Sequence, residues 1–174
     1  MLTWTGLLSK IIDMLPVYNS HERLTIGTEE AIVVAASSET NGALFAIHLR
    51  THPGGGPPVM HRHDPSEVYY VIDGEFTFYV QDVDGHVQCR TAKTGETVPL
   101  TGGTTHTVRN ESTSDAIAFV VHALGAPMEG FLHAAAELAA SGQIGMEPVL
   151  AIAAQRGIEL LGPIPSIPTA GEHL

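Results

Sequence analysis

Between residues 22 and 122 apolar and polar positions alternate in short runs, and turn-forming residues separate the runs. Alternation with period two is the mark of strands that bury one face, so this stretch predicts an all-β domain. The runs lie at 23–26, 31–35, 43–50, 68–72, 75–80, 86–90, 95–98, 106–110 and 116–122. Gly27, Ser37-Ser38, Asn41-Gly42, Asp73-Gly74, Asp82 to Gly85 and Ser112 to Asp115 divide them, and Asn41-Gly42 is a strong hairpin turn. Eight or so short strands at this rhythm fit a jelly-roll β-barrel with a ligand site in its mouth. In the run ending at Arg50, His48 shares a face with Leu44 and Ala46, and Phe45, Ile47 and Leu49 take the other. Periodicity leaves open which face is interior.

At both ends the period lengthens to that of a helix. Leu7, Leu8, Ile11, Ile12 and Leu15 form an apolar stripe that Pro16 stops, with Trp4 as an anchor in the same packing. Phe131, Leu132, Ala135, Leu138 and Ala139 form a second stripe over 129–140, ended by Ser141-Gly142. Pro148 suits the first turn of a further helix through Arg156, closed by Gly157, and Pro163, Pro165 and Pro168 mark an extended tail. The expected division is an N-terminal helical segment over 1–20, a β-barrel over 21–126, and C-terminal helices and tail over 127–174, within one domain spanning 1–174.

At 174 residues the chain is long enough to bury a core without staples. Any metal is therefore expected to serve function and not folding. Cys89 is the single cysteine, which excludes an intramolecular disulfide and a zinc ribbon and suits a cytoplasmic location. No basic leader with a cleavage site and no membrane-length apolar run stand out, so a soluble, unprocessed protein is expected. Nineteen acidic against eight basic residues give a formal charge of −11, which disfavours nucleic acid and anionic membranes as partners. Arg50, Arg62, Arg90 and Arg109 are the only bases near the chemistry-bearing motifs, too few for an obvious clamp on a strongly anionic substrate.

That chemistry centres on His61, His63, Glu67 and His106. Side chains two apart on a strand share a face at about 3.3 Å per residue, so His61 and His63 point the same way and Arg62 points away. Pro65 breaks the ladder and lets the chain bring Glu67 back towards the same point, and His106 arrives from another strand. Three imidazoles and a carboxylate around one divalent ion leave positions free for water, substrate or oxygen, the arrangement of a working site. A single strand histidine is usually a hydrogen-bonded, partly buried residue; His48 and His52 are read as structural or exposed, and His86 as a solvated loop residue. Four candidate ligands together at this spacing point instead to a metal. Asp82, Asp84 and Gly85 echo a calcium loop, but without the acidic residue that closes one they are read as a hairpin. The glycines of 54–56 run into a strand with no phosphate-binding lysine, which excludes a P-loop.

Gly55-x5-His61-x-His63-x3-Glu67-x6-Gly74 resembles the first cupin motif at every specified position. Gly95, Gly103, His106 and Asn110 resemble the second, with Thr101 where that family has proline. The end of the chain, 150–163, is also similar to the tail of small single-domain cupins related to quercetin dioxygenases. This resemblance implies a cupin jelly-roll barrel with one divalent ion (iron, manganese, nickel, cobalt, copper or zinc) on His61, His63, Glu67 and His106. It further implies a dioxygenase that cleaves a flavonol-like or other enolic aromatic substrate with O2. Glu67 would be both ligand and proton acceptor, because a carboxylate has a second oxygen whereas a metal-bound imidazole has no spare lone pair. Tyr69, two residues on, would share its face and contact substrate or fill the core. Cupins often pair through barrel edges, so a homodimer is expected. The alternatives are a non-catalytic metal and ligand-binding cupin, and a cupin isomerase or epimerase.

Overall fold

The runs of alternating residues fold as β1 (Arg23–Ile26), β2 (Glu29–Ala35), β3 (Leu44–Thr51), β4 (Val59–Arg62), β5 (Ser66–Asp73), β6 (Glu75–Gln81), β7 (Val87–Lys93), β8 (Thr97–Leu100), β9 (His106–Arg109) and β10 (Ala116–Ala123). Helices α1 (Gly125–Ala140) and α2 (Met146–Gln155) follow, and then a further strand, β11 (Glu159–Pro163). The structure is a computed structural model that describes residues 21–142 and 145–165. The helix expected within 1–20 lies outside the described residues, as do Pro168 and the end of the tail.

The strands form two antiparallel sheets, one in the order β1-β2-β3-β10-β5-β8 and the other β11-β4-β9-β6-β7. Among the described residues this is a mostly β sandwich with two helices, consistent with the jelly roll that the sequence predicts. The connections at 52–58, 63–65 and 101–105 carry the chain from one sheet to the other. The inner faces of both sheets share one core, in which Phe45, Val71, Phe76, Phe78 and Val120 are fully buried. On β3 this settles which face is interior: Phe45, Ile47 and Leu49 point in, and His48 lies exposed against the edge of Phe119.

Helix α1 begins four residues before the predicted start, with Pro127 in its first turn where no intrahelical donor is lost. Gly125 begins it because a Cβ there would collide with the backbone of Leu44. Met128, Phe131 and Leu132 on this helix pack against the core. Part of the predicted tail becomes β11, which pairs with β4 so that Leu160 lies opposite His61 and Gly162 opposite Met60. No helix among the described residues is long and apolar enough to cross a membrane.

Candidate metal centre

Cross-strand pairing brings the predicted ligands together. His61 on β4 sits directly opposite His106 on β9, and their ring centroids are 4.5 Å apart. His63 follows β4, with its ring 5.6 Å from that of His61 and 5.1 Å from that of His106. One nitrogen from each of the three rings lies within 4.8 Å of the others, a set that could hold a metal ion. Glu67 on β5 stands alongside, with Oε1 3.0 Å from His63 Nε2 and Oε2 3.7 Å from His106 Nε2. The turn between β8 and β9 survives the Thr101 substitution: the Thr104 N–H donates to the Thr101 carbonyl, and the Gly103 N–H ties the turn to the His63 carbonyl.

Backbone carbonyls orient the rings. Nδ1 of His63 donates to the Pro65 carbonyl at 2.9 Å, Nδ1 of His106 to Thr104 at 2.8 Å, and Nδ1 of His61 faces Val59 at 3.4 Å. A carbonyl can only accept, so Nδ1 carries the proton and Nε2 keeps its lone pair, the form an imidazole needs to bind a metal. His63 Nε2, His106 Nε2 and Glu67 Oε2 are buried without a hydrogen-bond partner. Orphaned buried polar atoms are costly, and one cation shared among these three satisfies them all, so the residues fit a metal ion. Burial, assisted by the neighbouring His106, pushes His61 down to about 4, which keeps it neutral at physiological pH. Burial raises the Glu67 carboxyl, but His122, His106 and His63 outweigh it and hold the group well below the usual carboxylate range. At His106 burial favours the neutral ring, and the Glu67 carboxylate outweighs that to raise its pKa.

Beside these residues lies a cavity of about 130 Å³ between the sheets and helix α1. Its lining is mainly apolar, with Ile47, Leu49, Phe76, Val108, Met128 and Phe131 among the contributors. His61, Glu67 and Tyr69 face it. Tyr69 is buried and packs edge-on against Phe78. Burial raises its pKa well above the ordinary tyrosine value, and the Glu67 and Glu29 carboxylates push the same way. The phenol therefore stays protonated, able to donate a hydrogen bond.

Two cavity residues escape the sequence reading. His122 on β10 lies directly across from Glu67, with Nε2 3.3 Å from Glu67 Oε1 and its ring stacked on Phe45. The available signal was phase: His122 alternates with Ala116, Ala118 and Val120, all fully buried. Glu29, the first residue of β2, also lines the cavity, and no signal in the sequence separates it from the exposed acids around it.

The remaining predicted positions have structural roles. Arg62 points outward to Glu159 at 2.5 Å, and His52 pairs with Asp115 at 2.9 Å. Asn110 is buried and clamps a loop, donating to the carbonyls of Thr51 and Ser114. Asp82, Asp84 and His86 form a second group with metal-ligand spacing, but it is exposed, and Asp82 Oδ1 is taken by the N–H groups of Asp84 and His86 in the hairpin.

Residues 47–122 match the family described as Cupin domain. Among solved structures, a variant of Bacillus subtilis oxalate decarboxylase superposes with a TM-score of 0.56 at 16% identity, over 90% of this chain and 45% of that one. A sugar phosphate isomerase from a cupin superfamily, from Silicibacter pomeroyi, gives 0.51 at 16% identity over 62% of this chain and 75% of that one. An RmlC-like cupin from Shewanella frigidimarina gives 0.50 at 20% identity over 64% and 91%. The chain thus spans less than half the length of the decarboxylase. No curated protein matches the sequence. Over residues 47–122 the chain thus matches a cupin domain, its fold is like that of these cupin structures, and its histidine triad could hold a metal ion.

Proposed function

We propose that this protein is a metal-dependent cupin dioxygenase acting on a small enolic or phenolic aromatic substrate. The observation that carries the reading is the convergence of three imidazoles with free Nε2 lone pairs beside an ionised Glu67 at the wall of an apolar cavity. His61, His63 and His106 would hold the ion, with Glu67 as the fourth ligand and the proton acceptor. When bound, a divalent cation supplies the positive charge that makes a substrate hydroxyl easier to deprotonate.

Glu67 receives the hydroxyl proton, and His122, with Nε2 3.3 Å from Glu67 Oε1, steadies the carboxylate from β10. The apolar walls exclude water from the activated ring, and Tyr69 can donate to a substrate oxygen. Ring cleavage then places both atoms of O2 in the product. Among the described residues no lysine or arginine lines the cavity, which weighs against a phosphorylated substrate. A volume of about 130 Å³ lies below the roughly 300–1,000 Å³ of drug-sized pockets and favours a single ring over a flavonol.

Oxygen uptake by protein stripped and reloaded separately with iron, manganese, cobalt, nickel, copper or zinc, with catechol and with a flavonol as substrates, tests the reading. Uptake that needs one metal and is lost in Glu67→Gln supports it. Absence of uptake in fully loaded protein with either substrate, or full turnover by metal-loaded Glu67→Gln, overturns the activity or the role of Glu67 respectively.

A further inference from the structure

We propose that Glu29 is the specificity-determining residue of the cavity: it hydrogen-bonds the far end of a neutral, hydroxyl-bearing single-ring ligand and turns away ligands that carry a carboxylate there. This rests on the reading of the cavity as the substrate site and adds the chemical class of its occupant.

Glu29 lines the same cavity as His61 and Glu67 but stands on a different strand, at the start of β2, outside both metal motifs. It is half-buried, and part of its open surface faces the cavity. No ion pair engages it among the described residues. The nearest cation whose charge it feels is Arg109, whose guanidinium is already committed to the carbonyls of Gly54, Gly56 and Pro57. Its one side-chain partner is Thr51, whose hydroxyl reaches Oε1 only at a long 3.5 Å. The carboxyl therefore has hydrogen-bonding capacity to spare in an otherwise apolar space.

Such a group is costly to bury unless something pairs with it. Burial pushes Glu29 up to about 7, so near neutrality it is available both as a donor and as an acceptor. A ligand hydroxyl can meet either form. A ligand carboxylate meets repulsion from ionised Glu29 and from Glu67, with no lysine or arginine among the described lining residues to offset it. The Tyr69 phenol lines the same cavity and feels both carboxylates.

Phenol and benzoate, one ring each and differing in charge at pH 7, are suitable probes. Their dissociation constants would be measured by ligand-detected NMR on the full chain, metal-free and metal-loaded, for wild type, Glu29→Gln and Glu29→Leu. Thermal melts confirm that each variant is folded. Wild type is expected to prefer phenol by about ten-fold or more, one hydrogen bond plus charge exclusion. In Glu29→Gln the preference should shrink to about three-fold or less through gained benzoate binding, because charge goes and hydrogen bonding stays. Glu29→Leu should weaken phenol by about three-fold to ten-fold. An unchanged preference in both folded variants, or no phenol binding to wild type, overturns the proposal whatever the oxygen electrode records. Loss of the dioxygenase reading has a different signature: no oxygen uptake with any metal while the phenol preference and its dependence on Glu29 persist.

Discussion

Among the described residues two groups of side chains have the spacing of metal ligands, and they differ in nearly every physical respect. His61 and His63 come from the end of β4 and His106 from its partner β9, two of the three are buried, and backbone carbonyls set their rings. Asp82, Asp84 and His86 are neighbours in a hairpin at the surface, and the turn itself uses the carboxylate that would bind an ion. The first group has atoms without partners, whereas Asp82 in the second is satisfied by the hairpin. What separates a site from a coincidence is thus unspent hydrogen-bonding capacity in a place water does not reach.

The contrast can be broken most directly by deleting ligands. His63→Ala and His106→Ala are each expected to lower divalent-metal affinity by about 10²–10³-fold, in line with the share of binding free energy one ligand carries in a four-ligand site. Competition against a chelating dye reads this, and retention of wild-type affinity in either folded variant would remove the triad from consideration. Carboxylates extend the comparison. Asp82 is pulled below its ordinary pKa by hydrogen bonds from Gln88 and the His86 N–H, while Glu29 is pushed by burial from 4.5 to about 7. Because its folded-state pKa is raised, Glu29 contributes its full stability below about pH 4.5 and loses it as pH climbs through about 7. Thr51 and Arg109 act against that shift, and Glu67 and Tyr69 line the same cavity. Glu29→Gln should abolish this part of the decline, on the order of 2 kcal/mol after allowance for partial solvent access. Denaturant melts at pH 4.5 and 8 measure it, and parallel curves for variant and wild type would contradict it.

His122→Phe should have a smaller effect. It keeps the ring stacked on Phe45 but removes the nitrogen beside Glu67, so metal affinity should fall by about ten-fold, as for other outer partners of ligands. An equal fall in thermal stability without metal would show that the residue is packing alone. Smallest of all is Asp82→Asn, for which metal affinity should stay within about two-fold of wild type, since its oxygens already serve the turn. A larger loss would move metal binding to the hairpin.

The spacing of His61, His63 and Glu67 was legible in the sequence through strand alternation and the break that Pro65 marks, and His106 through the second motif alone, since its place opposite His61 depends on β4 pairing with β9. The existence of the strands was legible through the same alternation. His122 was not, since its alignment with Glu67 depends on β10 pairing with β5, two strands more than 40 residues apart. Glu29 was hidden by the reverse problem: an acid at a strand start usually faces water, and only the pairing of β2 with β3, with α1 packed over β1 and β3, reveals a cavity beside it. The proline-marked tail offered too few alternating residues to predict β11.

The pairing of β11 with β4 sets an order of events during folding. Residue 61 meets residue 160, a contact spanning most of the chain, and contacts of such separation form late because a long loop must close first. The strand that presents His61 gains its outer neighbour only when residues 159–163 arrive. Metal uptake should therefore lag behind the formation of the bulk of the sheets in a refolding experiment. A divalent ion added early would act as a reporter of the finished fold, not as a nucleus around which the fold begins.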